Sequence, residues 1–206
     1  MEAVDVVAAF DFDGTLSPRD NVVPFLRRVA GTRATIAAFA AAAAKLAGAG
    51  RSRWTRDAAK EEMVRRLLGG RDADAVDTVA RAFAQDILDR HLRADAIQRA
   101  DWHRTQGHRL VIVSASFATY LRPVAERLRF DAVLATELEV GDDGALTGRL
   151  SGANVRGPEK ARRLDEWLAG SPTFVWAYGD SSGDRELWAR ADRAVRLGRR
   201  AHRGTQ

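Results

Sequence analysis

Apolar residues form short continuous runs near both ends of the chain and follow a helical spacing between them. Four continuous runs predict buried strands, at 4–10, 110–113, 132–135 and 173–178. From residue 17 to residue 107 no strong strand pattern occurs, and the apolar spacing predicts helices. Breaks containing glycine help to divide this stretch into five predicted helices, at 21–30, 32–47, 54–68, 72–92 and 94–106.

Strands and helices alternate from residue 108 onward. A helix is predicted at 118–129, another begins at Gly157-Pro158, and an Asp-Gly turn joins two hairpin strands between 138 and 147. A last helix precedes a short strand at 194–197. This order predicts an α/β fold with a doubly wound, mostly parallel sheet. We expect a core domain made of residues 1–16 and 108–206, with residues 17–107 inserted as an all-helical domain.

The composition excludes several classes of protein. The chain of 206 residues contains no cysteine, which excludes disulfide bonds and thiolate chemistry. Its first residues lack the pattern of a signal peptide, and its longest apolar run, 34–44, is too short and too rich in alanine to cross a bilayer. We therefore expect a cytoplasmic protein without a membrane span. The sequence indicates no particular oligomeric state.

The positive charge is concentrated near the C-terminus. The net charge is +5 and the pI is about 10.3. Residues 190–203 contain six arginines and one acid, and the rest of the chain is balanced, with 27 basic and 27 acidic residues. A solvated tail accounts for this distribution, so no nucleic-acid partner is expected. A module that binds nucleic acid or an anionic membrane through the tail is the alternative.

Two acids follow the first predicted strand, in Asp11-Phe12-Asp13-Gly14. Ligands of open α/β sheets bind beyond the carboxyl ends of the strands, and side chains two positions apart share a face. Neighbouring carboxylates repel each other unless a cation or a shared proton compensates. The pair therefore indicates a metal site, a proton-transfer site or both. A simple Asp-Gly turn is the alternative.

Polar residues also follow the second and fourth predicted strands. Ser114 comes directly after the apolar run at 110–113, and Ser116 is better placed than Ser114 to cap the next helix. Asp180 and Asp184 lie in a loop after the run at 173–178, where Asp184 could instead cap the last helix. With Asp11 and Asp13, Asp180 gives the all-oxygen type of site that Mg²⁺ prefers.

Lys160 is the remaining candidate. It lies in the first turn of a predicted helix, where a cation opposes the helix dipole. Only three of the 33 basic residues are lysine, namely Lys45, Lys60 and Lys160. This scarcity favours a specific role for each lysine, where a compact ammonium is needed. Lys160 is a candidate phosphate ligand that would also offset the acids. An exposed surface lysine is the alternative.

These pieces, in this order, resemble the four motifs of the haloacid dehalogenase-like hydrolase superfamily, and more narrowly the phosphoserine phosphatase-like branch of its subfamily IB. The resemblance implies a Rossmann-like core with the helical insertion as a cap, and Mg²⁺ as the cofactor. The matching residues are Asp11-Phe12-Asp13-Gly14-Thr15, Ser114, Lys160, and Gly179-Asp180 with Asp184.

The resemblance also implies a role for each residue. Asp11 would attack phosphorus and form an aspartyl-phosphate, while Asp13 would protonate the leaving oxygen and activate the hydrolytic water. Ser114 and Lys160 would bind the phosphoryl oxygens. Mg²⁺ would be held by Asp11, the backbone carbonyl of Asp13, and Asp180, with Asp184 in support.

The implied reaction is hydrolysis of a small phosphomonoester. Dehalogenases of the superfamily lack the second acid, so Asp13 favours a phosphatase. Phosphoserine phosphatases carry Glu at the position of Asp20 and Gly-Gly where this chain has Ala115-Ser116, so phosphoserine is not favoured. Asp20 is a possible specificity residue or a helix N-cap. A phosphotransferase that uses the same intermediate is an alternative.

Overall fold

A six-stranded sheet forms the centre of the computed structural model, which describes residues 5–47, 56–171 and 173–197. The strands are β1 (Asp5–Phe10), β2 (Arg109–Phe117), β3 (Ala132–Val140), β4 (Leu146–Ser151), β5 (Thr173–Gly179) and β6 (Arg193–Arg196). Their order is β4-β3-β2-β1-β5-β6, and every pair is parallel except the β3-β4 hairpin. The predicted α/β class and mostly parallel sheet are confirmed.

Within the described residues between β1 and β2 there are five helices: α1 (Val22–Ala30), α2 (Thr32–Ala47), α3 (Arg56–Leu67), α4 (Ala73–Arg90) and α5 (Ala94–Thr105). Three more follow β2: α6 (Ala118–Arg127), α7 (Pro158–Leu168) and α8 (Arg185–Arg190). Helices were predicted at all of these places. The predicted start of the third helix at Trp54 lies outside the described residues, as does the tail beyond residue 197. That the insertion forms a separate domain stays a prediction.

Alternate residues of the central strands face two separate apolar clusters. In β1, Ala8 and Phe10 belong to the cluster that also contains the apolar faces of the insertion helices and α6. Val7 and Ala9 belong to a second cluster, which contains Leu164 of α7. Because both faces of each central strand are buried, these strands appear in the sequence as continuous apolar runs.

Strands β2, β3 and β4 are longer than predicted, and β4 ends at Ser151 although the hairpin was predicted to end at residue 147. The run at 132–135 and the first hairpin strand at 138–140 are one continuous strand, β3, which pairs in parallel with β2 and then antiparallel with β4. The second predicted strand ends at Val113, whereas β2 extends to Phe117, with a register shift between Ser114 and Phe117. Polar residues inside these strands ended the apolar pattern before the backbone pairing ended.

None of the helices in the described part of the chain combines the length and the apolar composition that a membrane crossing requires.

Candidate active site

The carboxyl ends of β1, β2 and β5 meet at one cavity of about 590 Å³. Because β2 and β5 both pair with β1, Asp11 lies between the ends of its two neighbours, and its backbone N–H donates to the carbonyl of Tyr178 at 2.8 Å. The six residues predicted for catalysis, phosphate binding and metal binding all line the cavity: Asp11, Asp13, Ser114, Lys160, Asp180 and Asp184.

Lys160 is buried at the floor of the cavity, which excludes the alternative of an exposed surface lysine. It lies in the first turn of α7, and its ammonium donates to Asp11 Oδ1 and to Asp184 Oδ1, both at 2.5 Å. Burial by itself would lower the pKa of Lys160, but the charges of Asp11 and Asp184 outweigh it and raise the pKa. Lys160 is therefore a permanent cation beneath the acids.

The ion pair with Lys160 does not fully compensate the negative charge of Asp11. Asp11 is 5% exposed, and burial raises its pKa to about 6 against the opposing effect of Lys160. The charge of Asp184, which shares the same ammonium, adds a smaller contribution that also raises the pKa of Asp11. The Thr15 hydroxyl donates a further hydrogen bond to Asp11 Oδ2 at 3.3 Å.

A divalent cation fits this arrangement of charges. Carboxylate oxygens of Asp11, Asp180 and Asp184 lie within 4.8 Å of one another, so three acids face one ammonium. Burial and the charge of Asp184 raise the pKa of Asp180. Gly14 makes the close approach of Asp180 possible, because its φ is +85° and a Cβ there would lie 2.2 Å from Asp180 Oδ2. Hard oxygen ligands with excess negative charge suit Mg²⁺.

Asp184 is the N-cap residue of α8 but makes no side-chain cap bond there, so the alternative that its side chain caps the last helix was wrong. Its Oδ2 accepts the backbone N–H groups of Asp180 at 3.1 Å and Ser181 at 3.0 Å, which completes a capping box at Ser182–Asp184. Gly179 leaves room for it, since a Cβ there would lie 2.6 Å from Asp184 Cγ. Both oxygens of Asp184 therefore already accept hydrogen bonds from the protein.

Asp13 lies beside these acids but faces other partners. Its Oδ1 accepts from the side-chain amide of Asn21 at 2.7 Å, and its Oδ2 accepts from the Ser116 hydroxyl at 2.6 Å. Burial, followed by the charge of Asp20, raises the pKa of Asp13 to about 7. A carboxyl with this pKa is partly protonated near neutrality, which suits a residue that gives and takes a proton.

Of the two serines that follow the apolar run of β2, only Ser116 departs from its prediction. Ser114 is buried, lines the cavity, and accepts the backbone N–H of Ser116 at 3.1 Å. The prediction that Ser116 caps the next helix was wrong. The N-cap residue of α6 is Phe117, which makes no side-chain cap bond, and the Ser116 hydroxyl binds Asp13 instead. A capping serine and a site serine look alike in sequence because both follow a strand.

Asp20 precedes Asn21, the N-cap residue of α1, and its side chain bonds the start of that helix, whereas its role in specificity stays a prediction. Its Oδ1 accepts the backbone N–H groups of Val22 at 3.0 Å and Val23 at 3.4 Å, so it satisfies donors in the first turn of α1. It is also exposed and lines the cavity.

Lys60 reaches the same cavity from α3 and was not assigned to the site from the sequence. Its ammonium donates to Asn154 Oδ1 at 2.7 Å and to the backbone carbonyl of Ala115, and it lies 4.5 Å from the centroid of the Phe117 ring. Asn154 in turn donates to Asp57 of α3 at 2.6 Å. Burial lowers the pKa of Lys60 to about 7. The scarcity of lysine was the one sequence signal for it.

Comparisons with known proteins agree with the motifs. The model of the haloacid dehalogenase-like hydrolase family matches residues 8–188. Protein CicA of Caulobacter vibrioides is 37% identical over 187 residues, which cover 91% of this chain and 83% of that protein. Phosphoserine phosphatase SerB2 of Mycobacterium tuberculosis is 32% identical over 183 residues, covering 86% of this chain and 40% of that protein.

A solved structure of similar fold comes from Bordetella pertussis Tohama I, and its protein is of unknown function. It superposes with a TM-score of 0.79 at 25% sequence identity, covering 94% of this chain and 90% of that chain.

Proposed function

The chain belongs to the haloacid dehalogenase-like hydrolase family, in its phosphoserine phosphatase-like branch, and on this basis we propose that it is a Mg²⁺-dependent phosphomonoester hydrolase. One observation carries the proposal. Asp11, Ser114, Lys160 and Asp180 come from separate elements and line a single cavity, and the second acid, Asp13, has a pKa of about 7 within it. Phosphoryl transfer requires mainly positioning and neutralisation of charge, which this set of residues supplies.

The reaction has two steps. An Asp11 oxygen attacks phosphorus, the bond from phosphorus to the ester oxygen breaks, and Asp13 gives its proton to the departing alcohol. In the second step Asp13 takes a proton from water, the water oxygen attacks the aspartyl-phosphate, and inorganic phosphate leaves as Asp11 is regenerated. Ser116 and Asn21 hold the Asp13 carboxyl in place for both proton transfers.

Ser114 and Lys160 are the proposed ligands of the phosphoryl oxygens. Lys160 already contacts Asp11, so a phosphoryl group on Asp11 would lie next to a permanent cation. The proposed Mg²⁺ ligands are the carboxylates of Asp11 and Asp180 and the backbone carbonyl of Asp13, with Asp184 in support. A bound Mg²⁺ supplies charge neutralisation at the transferring phosphoryl group.

The helical insertion is the proposed cap over this site. Lys60 and Asp57 of α3 both contact Asn154, which precedes α7 of the core. These contacts join α3 to the core beside the cavity that Lys60 and Asn154 line, so their opening and closing would admit substrate and exclude water. A small phosphorylated metabolite is the proposed class of substrate, and the cytoplasmic location stays a prediction.

The central test is the loss of phosphate release in Asp11→Asn. This variant keeps the shape of the side chain and removes the nucleophile, so release should fall at least about 10,000-fold. Asp142→Asn, in the exposed turn between β3 and β4, is the matched control and should keep full activity. EDTA should abolish release by the wild-type protein, and added Mg²⁺ should restore it. Substantial turnover by a folded Asp11→Asn protein contradicts the proposed nucleophile.

Two alternative functions give different results in the same assays. A phosphotransferase would pass the phosphoryl group from Asp11 to an added alcohol, so a phosphorylated acceptor would replace inorganic phosphate among the products. A module that binds nucleic acid or an anionic membrane through the basic tail would lose a salt-sensitive association when truncated after Leu197, whereas a phosphatase would keep its hydrolytic activity.

A further inference from the structure

The cavity above Asp11 has a polar floor and a mainly apolar wall. The floor consists of the acids, Ser114 and Lys160 described above. The wall comes from the helical insertion, and its apolar members are Val22, Val23, Leu26, Phe39, Ala59 and Met63.

Phe39 and Val23 are the exposed members of this wall. They are 45% and 37% exposed, although most large apolar residues of the described chain are buried. On α2, Ala38 and Ala42 are buried, with 4% and 2% exposure, while Phe39 is turned to the cavity. These two alanines therefore pack against the protein, and Phe39 supplies an apolar surface to a ligand in the cavity.

The apolar wall lies where the alcohol part of a bound substrate would be. A phosphomonoester with its phosphorus at Asp11 must put its alcohol part in the cavity above the floor. Two polar groups on the insertion side already have protein partners, since Lys60 bonds Asn154 and Ala115 and Asp20 accepts two backbone N–H groups. A cavity of about 590 Å³ also has room for more than a three-carbon alcohol.

We propose that the substrate is a phosphomonoester of an apolar alcohol, and that Phe39 and Val23 form the wall that selects it. The inference rests on the proposed phosphatase function and adds the class of leaving group. Arg19 and Arg156 also line the cavity, so an alcohol that carries an anionic group is the competing class that the test includes.

A series of straight-chain monoalkyl phosphates, from ethyl to hexyl phosphate, tests the proposal. Along this series the reacting ester changes little, so the trend in kcat/KM reports contact with the alkyl chain. Burial of each added methylene should raise kcat/KM by about two- to fourfold until the wall is covered. O-phosphoserine and glycerol phosphate, which are short and polar, should be poorer substrates than hexyl phosphate.

Variants of the wall connect this trend to particular residues. Phe39→Ala should reduce the rise in kcat/KM from ethyl to hexyl phosphate to about twofold or less. Phe39→Leu keeps an apolar side chain and should keep most of the rise, and Val23→Thr should reduce it in part. Phe174→Ala is the matched control, because Phe174 is 37% exposed on β5 and does not line the cavity.

The outcomes separate this inference from the proposed function. Phosphate release from none of the compounds, in the presence of Mg²⁺, counts against the phosphatase function itself. Release from O-phosphoserine or glycerol phosphate that equals or exceeds release from hexyl phosphate overturns the apolar class and leaves the phosphatase function standing. A rise with chain length that Phe39→Ala leaves intact overturns the assignment of the wall.

Discussion

Two lysines reach the same cavity from opposite sides and are held in opposite ways. Lys160, on the core side, contacts two carboxylates, and their charges raise its pKa although it is buried. Lys60, on the insertion side, contacts an amide oxygen and a backbone carbonyl, and burial lowers its pKa to about 7. The partners, rather than burial alone, decide whether a lysine stays charged. On the core side Lys160 is held by charged partners, whereas on the insertion side Lys60 is held by neutral ones.

Among the predicted changes, replacement of Lys160 should have the largest effect on activity and stability. Lys160→Met leaves Asp11 and Asp184 buried without their cation, so phosphate release should fall by about 100- to 1,000-fold. In EDTA the free energy of unfolding should fall by about 3 to 5 kcal/mol, because the partners of a buried ion pair are left uncompensated. Phosphate release and urea denaturation measure the two effects. Unchanged stability in EDTA would mean that the ammonium does not compensate these acids.

Asp13 accepts one hydrogen bond from the core, from Ser116, and one from the insertion, from Asn21. Removing each donor in turn compares the contributions of the core and the insertion. Ser116→Ala removes the core donor and Asn21→Ala removes the insertion donor. Each should lower kcat by about 10- to 100-fold, the value of a hydrogen bond to a charged group. Ser151→Ala, at the exposed end of β4, is the control. Full activity in both variants would show that Asp13 needs neither donor.

Lys60 should give a pH-dependent contribution to stability. The pKa of Lys60 is about 7 in the folded protein and 10.5 for a free side chain. Between these values the unfolded chain binds more protons than the folded protein, so the stability of the wild type rises with pH. Relative to Lys60→Met, the wild type should gain at most about 1.4 kcal/mol per pH unit above about pH 7.

Urea denaturation of both proteins from about pH 6 to about pH 9 measures this difference. Arg66→Met is the matched control, because Arg66 lies on the same helix and does not line the cavity. A stability difference between wild type and Lys60→Met that is constant with pH would mean that Lys60 stays charged in the folded protein.

Substitutions of Asp20 should have the smallest effect on stability. Asp20→Ala removes the acceptor for two backbone N–H groups of α1 and should lower the free energy of unfolding by about 1 kcal/mol. Asp20→Asn keeps an acceptor oxygen and should change stability by less than about 0.5 kcal/mol. Thermal unfolding distinguishes the two variants. An altered preference among phosphomonoesters in Asp20→Asn would assign Asp20 a direct contact with substrate.

Most of the fold and the central acids could be predicted from the sequence, because their signals are local. The central strands of a parallel sheet are buried on both faces, so they appear as continuous apolar runs. Strand ends of such a sheet meet at one edge, so Asp11, Ser114 and Asp180 could be expected near one another before any distance was known.

Local sequence patterns did not give the role of polar residues that could either cap a helix or contact the site. Ser116 was predicted to cap a helix, but a bulge-like register shift in β2 brings its hydroxyl to Asp13. Asn21 was not assigned to the site, although it is buried and donates to Asp13. In both cases the choice depends on a partner from a distant element.

The sequence by itself determined the order of strands and helices, the position of the helical insertion and the family motifs, since each depends on neighbouring residues. Only the tertiary structure decided what faces the motifs. It brings Lys60 to Asn154, 94 positions away, and turns Phe39 of an alanine-rich helix to the cavity above Asp11. The physical reason is that helical spacing predicts which residues share a face, but packing against distant elements decides what that face touches.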